Sequence, residues 1–185
     1  MIEKTVAVEI DAQFLHEIAT ARGAMDTRSE VVMVLPRPGG RVIVSRKVFY
    51  PEGTFRLPSG GIHPGESPEE AFVRETMEET GLSVSVDRKL ARIVNHCVCG
   101  DDSVDITSHV FLGSPTTDPP CPIDEAEQLS DYREVDADGL CEIARHLRSL
   151  RVDSRGHEWW GFGRFRATAN ELVAELLAKV RSSLQ

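Results

Sequence analysis

The chain has 185 residues, a length that suits one domain and lets the fold bury a sizeable core without disulfide or metal staples. With 41% hydrophobic and 28% charged residues, the composition excludes disordered and fibrous classes. The formal net charge of -9 excludes a basic surface for long DNA or RNA, although a small polyanion accompanied by cations is compatible with it.

No basic and apolar leader pattern marks the N-terminal residues, and the longest apolar run, 31–35, is too short to cross a bilayer. The four cysteines are expected to be free thiols in a reducing compartment. We therefore expect a cytoplasmic protein without a membrane partner.

The first half of the chain alternates strand and helix signals. Residues 4–10 alternate in polarity and predict a strand, after which Asp11 is placed to cap a helix. The β-branched runs 31–35 and 41–49 flank a Pro- and Gly-rich segment, a pattern that predicts a hairpin.

The second half adds a helix over about 68–80, strands, a long loop over 113–131 and two more helices. The predicted strands cover 82–86, 90–98, 104–112 and 132–135, and the later helices cover 140–150 and about 169–180. Because these elements do not alternate regularly, the sequence predicts an α/β fold with a mixed sheet sandwiched between helices. We expect residues 1–185 to form one domain with a core over about 30–150.

The helix over 68–80 is defined by sequence at both ends. Ser67 and Glu70 have the spacing of a capping box, Pro68 suits the first helical position, and Gly81 suits a left-handed end. Its boundaries can therefore be predicted from local residues alone.

Three glutamates of this helix lie on one side. Glu75, Glu78 and Glu79 fall within an arc of about 100°. A solvated acidic face is the simpler interpretation, but such faces usually mix charges of both signs. Like charges on one arc repel each other, and hard oxygen ligands suit Mg²⁺, Mn²⁺ or Ca²⁺.

The segment 60–82 resembles the signature of the Nudix hydrolase family, whose MutT-like members carry it as a box. Gly60, Glu66 and the run 74–82, Arg-Glu-Thr-Met-Glu-Glu-Thr-Gly-Leu, occupy the fixed positions of that box. One departure precedes it, since Ser59 stands where the family usually has the first glycine of a Gly-Gly pair. The resemblance implies the Nudix fold.

The resemblance also implies function. It assigns Glu75, Glu78, Glu79 and the Ser59 backbone carbonyl to Mg²⁺ or Mn²⁺, and it makes Arg74 a residue that positions a carboxylate. Glu66 supports the loop–helix junction by the same comparison. The implied reaction is metal-dependent hydrolysis of a phosphoanhydride bond in a nucleoside diphosphate linked to another group. A non-catalytic nucleotide sensor on this fold is the alternative.

Further candidates lie outside the helix. Arg46, Lys47 and Arg56 precede the box and suit phosphate oxygens, with Arg46 preferred because it ends a predicted core strand, and the backbone of Gly60 and Gly61 can approach a ligand closely. The general base is assigned to the 113–131 loop, with Glu125 favoured over Glu127. For any one of these side chains, ordinary surface charge is the competing interpretation.

Two remaining patterns can be explained by ordinary structural roles as well as by function. The segment 157–165 concentrates both tryptophans and can stack a nucleobase, although core packing or a homodimer contact explains it equally well. Cys97 and Cys99, with nearby histidines, lack the paired spacing of a zinc site, so simple thiols are expected.

Overall fold

The computed structural model describes residues 1–20, 26–123 and 127–183. Within them the chain forms eight strands and four helices. The strands are β1 (Ile2–Glu9), β2 (Asp26–Val34), β3 (Pro36–Arg37), β4 (Arg41–Lys47), β5 (Ser59–Ile62), β6 (Val86–Cys99), β7 (Asp102–Gly113) and β8 (Leu129–Val135). The helices are α1 (Ala12–Thr20), α2 (Pro68–Thr80), α3 (Ala137–Ser149) and α4 (Trp160–Ser183).

A five-stranded mixed sheet forms the centre, in the order β1-β6-β7-β2-β5. The pairs β1–β6 and β2–β7 are parallel, whereas β6–β7 and β2–β5 are antiparallel. A smaller antiparallel sheet has the order β3-β4-β8. Strand β5 lies at one edge of the large sheet, next to β2.

Strand β2 shows why helices cover both faces of the large sheet. Its side chains alternate, so that Val31 and Met33 pack with Phe72 of α2, while Val32 and Val34 pack with Leu140 of α3 and with α4. Because both faces of β2 are buried, the strand is apolar throughout its second half. The predicted α/β fold, a mixed sheet between helices, is confirmed.

The predicted hairpin between 31–35 and 41–49 is wrong for most of its first arm, because only Leu35 of that described run bonds to the second arm, accepting from the Ile43 N–H at 3.1 Å. Strand β2 pairs with β5 and β7 in the large sheet, and the hairpin joins β3 to β4 in the small sheet. The run 31–35 is hydrophobic on both faces, which indicates a central strand rather than a hairpin arm. The segment 82–86 is likewise not a strand except at its last residue, where β6 begins.

Asp11 joins the first and last helices. Its Oδ1 accepts from the Phe14 backbone N–H at 2.6 Å, and its Oδ2 accepts from the Gly161 N–H at 2.7 Å. One buried carboxylate thus caps the start of both α1 and α4, as expected for an anion at a helix N-terminus. Within the described ranges, no helix is long and apolar enough to span a bilayer.

Candidate active site

Helix α2 has the boundaries that its caps predict. The Ser67 hydroxyl accepts from the Glu70 N–H at 3.2 Å, and Glu70 Oε2 accepts from the Ser67 N–H at 2.8 Å. At the other end, Gly81 has a φ of 66° and donates its N–H to the Met77 carbonyl. Both ends are therefore fixed, and with them the directions of the three glutamates.

Strand β5 lies directly against one of these glutamates. A Cβ atom built on Gly60 would lie 1.8 Å from Cδ of Glu75, so only glycine fits at this position. The Glu75 residue is only 5% exposed. The glycine of the box thus brings a bare strand backbone onto a buried carboxylate.

Arg74 is hydrogen-bonded to three acidic side chains, those of Glu66, Glu75 and Glu78. Its Nη1 donates to Glu75 Oε1 at 2.7 Å and to Glu78 Oε2 at 2.9 Å. Its Nε and Nη2 donate to the two Glu66 oxygens at 2.8 Å each, and Nη2 also donates to the Gly61 carbonyl. These hydrogen bonds lower the pKa of Glu66 to about 2. Arg74 therefore links the segment that contains Gly61 and Glu66 to α2.

Glu79 is more deeply buried than Glu75. The residue is 1% exposed, and its Oε2 atom has no hydrogen-bond partner in the described residues. Its Oε1 lies 3.8 Å from both Lys47 Nζ and Arg56 Nη2. The Tyr132 hydroxyl donates to the Glu79 backbone carbonyl and joins β8 to the end of α2.

Burial makes ionisation of both carboxyl groups unfavourable. It raises the pKa of Glu75 to about 7, although Arg74 opposes the change, and it raises the pKa of Glu79 despite Arg56 and Lys47. A buried carboxylate with an unpaired oxygen is a group that a divalent cation stabilises.

The residues present fit a divalent cation by their chemistry. Among the described residues, no three acidic, histidine or cysteine side chains already surround one point. Arg74 instead contacts one oxygen of each of Glu75 and Glu78. The unpaired Glu79 oxygen and the hard-oxygen donors nevertheless suit Mg²⁺ or Mn²⁺.

Glu75 lies in the wall of a cavity of about 810 Å³, which is lined by both polar and aromatic side chains. The polar wall includes Lys47, Arg56, Ser59, Gly60 and Gly61. The aromatic wall consists of rings from α1, from the segment after β4, and from α4 and the residue before it. These rings belong to Phe14, Phe49, Tyr50, Trp159, Phe162 and Phe165. A volume of this size suits a small organic ligand with a charged group.

The cavity includes some of the predicted substrate residues and omits one. Arg56, Gly60 and Gly61 line it, as predicted from the sequence. Arg46 is not among its lining residues, whereas its neighbour Lys47 is.

Of the two predicted general bases, Glu125 and Glu127, the structure describes only Glu127. Glu125 lies outside the described residues. Glu127 lines the cavity, and its Oε2 accepts from Lys47 Nζ at 2.7 Å. Glu78 does not line the cavity, and its half-buried side chain contacts Arg74.

Ser59 makes contacts that sequence reasoning missed. Its hydroxyl accepts from Arg56 Nη1 at 3.0 Å and from Arg166 Nη1 at 2.9 Å. Arg166 belongs to α4 and lines the cavity. The replacement of glycine by serine at 59 was a signal for an added side-chain contact, but nothing in the sequence identified the partner.

The two tryptophans lie in different environments. Trp159 is buried in the aromatic cluster and lines the cavity, with its ring 4.3 Å from that of His157. Trp160 is outside the lining and contacts the Arg164 guanidinium at 4.6 Å. The cysteines are all free, and Cys97 is buried in the core behind the cavity rather than in its wall.

The comparisons with known proteins agree with this geometry. The family model of the NUDIX domain matches residues 26–151. An RNA pyrophosphohydrolase of Proteus mirabilis (strain HI4320) is 45% identical over 56 residues, which cover 30% of this chain and 31% of that protein. An RNA pyrophosphohydrolase of Pectobacterium atrosepticum is 41% identical over 68 residues, or 37% of each chain. The matched segments thus span about a third of these relatives.

The fold has a counterpart among solved structures. The MutT protein from Methanosarcina mazei Go1 superposes with a TM-score of 0.51 at 17% identity, over 76% of this chain and 92% of that chain. At this identity the likeness concerns the fold. The family model covers well over half of the sequence, including the box and the central sheet, and on that ground the chain belongs to the NUDIX family.

Proposed function

We propose that the protein hydrolyses a phosphoanhydride bond in a nucleoside diphosphate linked to another group, with Mg²⁺ or Mn²⁺, in the cytoplasm. The observation that carries the proposal is the buried carboxylate of Glu75 beneath Gly60, in a cavity whose wall also holds Lys47 and Arg56. Acidic groups and cations in one cavity suit a metal-bound diphosphate.

Glu75, Glu78, Glu79 and the Ser59 carbonyl are the proposed metal ligands. Divalent ions bound there would offset the charge of the diphosphate oxygens and acidify water. Arg74 holds Glu75 and Glu78 in place before binding. Because Glu75 and Glu79 are desolvated, their charges act in a medium that screens them weakly.

Lys47, Arg56 and the Gly60–Gly61 backbone are proposed to contact the diphosphate. The aromatic wall is suited to the organic part of the substrate, because rings such as Trp159 and Phe162 offer stacking surfaces to a nucleobase. Trp159→Phe should therefore raise KM more than it lowers kcat. Trp160→Phe, outside the cavity lining, is the matched control.

Hydrolysis should be screened over nucleotide sugars, dinucleotides, nucleoside triphosphates and short RNAs with 5′-terminal polyphosphates. The RNA substrates are included because of the names of the two bacterial relatives. Each substrate is tested with Mg²⁺, with Mn²⁺ and with a chelator. Turnover should require metal and be lost in Glu79→Gln, whereas Glu69→Gln, an exposed position on α2, should retain it.

The hydrolysis screen distinguishes an enzyme from a non-catalytic nucleotide sensor. A wild-type protein that binds nucleotides but hydrolyses none of them would favour the non-catalytic sensor. Turnover that persists equally in the chelator and in Glu79→Gln would contradict the proposed metal chemistry.

The general base is proposed to be Glu125, with Glu127 as the other candidate. A general base contributes about 10²–10⁴-fold to the rate, so its replacement by glutamine should lower kcat by that factor with little change in KM. If only Glu127→Gln has this effect, the base is Glu127. If neither has it, Glu75 is the next residue to test.

A further inference from the structure

Arg166 reaches the cavity from outside the segment that matches the NUDIX model. It lies on α4, and the matched segment ends at residue 151. Its guanidinium carbon lies 4.8 Å from the centre of the Phe165 ring and 5.7 Å from that of Phe162. These rings support the side chain while it lines the cavity with Lys47 and Arg56.

Two acceptors hold Arg166 in this position. Its Nη1 donates to Glu30 Oε2 at 2.5 Å and to the Ser59 hydroxyl at 2.9 Å. Glu30 is itself fixed, because its Oε1 accepts from the Ser108 hydroxyl at 2.8 Å. The side chain is therefore directed by a hydrogen-bonded support and not by a single surface ion pair.

The Ser59 hydroxyl brings two guanidinium groups together. It accepts from Arg166 and from Arg56, which uses both of its lone pairs. Two like charges that share one neutral acceptor repel each other in a partly desolvated site. An anion placed beside them would offset that repulsion by attracting both guanidinium groups.

The contacts of Arg166 leave part of its hydrogen-bonding capacity open. No described residue accepts a hydrogen bond from its Nη2, which leaves that donor for a ligand in the cavity; its Nε is buried and also has no partner among the described residues. A guanidinium has five N–H donors, and its planar fork suits phosphate oxygens. Incomplete satisfaction of a cation in a cavity wall is what a missing anionic ligand would leave.

We propose that Arg166, together with Arg56, binds a phosphate group of the substrate, and that Ser59 sets the spacing of the two guanidinium groups. This inference rests on the proposed function, because it assumes a diphosphate in the cavity. It assigns a binding role to α4, which the family match does not include. It also gives the serine at position 59 a purpose beyond its backbone carbonyl.

The test measures binding of inorganic pyrophosphate by isothermal titration calorimetry, in metal-free buffer. Arg166→Gln should raise Kd about tenfold or more, because it removes a charge-assisted contact. Arg164→Gln is the matched control, since Arg164 lies on the same helix and pairs with Glu9 at the surface, outside the cavity. It should bind pyrophosphate as the wild type does.

Two further variants keep the test decisive. Arg166→Met preserves packing against the Phe162 and Phe165 rings, so it replaces Arg166→Gln if the latter does not fold. Ser59→Gly keeps the backbone carbonyl and every charge, and should weaken pyrophosphate binding severalfold by releasing the two arginines. Equal affinity in wild type and a folded Arg166 variant, or no binding to the wild type, would overturn the inference.

The same proteins separate this inference from the proposed function. With the best substrate, Arg166→Gln should raise KM more than it lowers kcat. Hydrolysis by the wild type with unchanged pyrophosphate affinity in Arg166→Gln would reject the role of Arg166 alone. Pyrophosphate binding that depends on Arg166, without hydrolysis of any tested substrate, would reject the proposed function alone.

Discussion

Replacing Glu75 by glutamine should change how the stability of the metal-free protein depends on pH. Burial raises the folded-state pKa of Glu75 from the ordinary 4.5 to about 7. The folded state therefore binds more protons than the unfolded state between these values, and stability falls as pH rises through them. Above pH 7 the difference corresponds to about 3 kcal/mol of lost unfolding free energy.

The assay is chemical denaturation of wild type and Glu75→Gln in chelator at pH 5, 7 and 8.5. Glutamine can still accept from Arg74 but carries no charge, so the variant should lose less stability with rising pH. The difference between the two proteins should grow by up to about 3 kcal/mol from pH 5 to 8.5. Subtracting one profile from the other removes the other titrating groups.

Added Mg²⁺ gives the experiment a second arm. A cation that binds the folded site should stabilise the wild type at pH 8.5 by mass action and have less effect on Glu75→Gln. Parallel pH profiles of the two proteins in chelator would refute the reasoning that burial of this carboxyl group governs its ionisation.

Two further substitutions and one chemical modification test the site and the core. Glu79→Gln should weaken Mn²⁺ binding about 10–100-fold while the protein stays folded, and an unchanged Mn²⁺ titration would remove this residue from the metal site. Gly60→Ala should destabilise the fold by about 1–3 kcal/mol and abolish turnover, because its Cβ would overlap Glu75; denaturation midpoints and turnover of the variant check this. Burial raises the pKa of Cys97 to about 12, so a thiol reagent at pH 8 should modify the exposed Cys141 and spare Cys97, as mass spectrometry of digests would reveal.

The parts of the fold that the sequence predicts well depend on local interactions. Helix α2 begins and ends where its capping box and Gly81 indicate, because those contacts join residues at most four positions apart. The glutamate arc follows from helical geometry in the same way. The strand pairing of 31–35 was predicted wrongly because its partners, β5 and β7, are distant in sequence and leave no local signal.

The lysine and arginine side chains that line the cavity show the same limit of prediction from local sequence. Arg46 and Lys47 are adjacent in sequence, yet only Lys47 lines the cavity. Arg166 lies 107 residues from Ser59, so no spacing rule connects them.

The unusual serine at 59 nevertheless marks the place where a long-range contact was added. Its partner lies on α4, whose start Asp11 caps together with that of α1. The capped start of α4 fixes where its first turns lie, and about one and a half turns later Arg166 contacts Ser59, next to the box. A departure from a family motif is therefore a guide to where a chain's own extensions contact the shared site, and Ser59→Gly tests that contact directly.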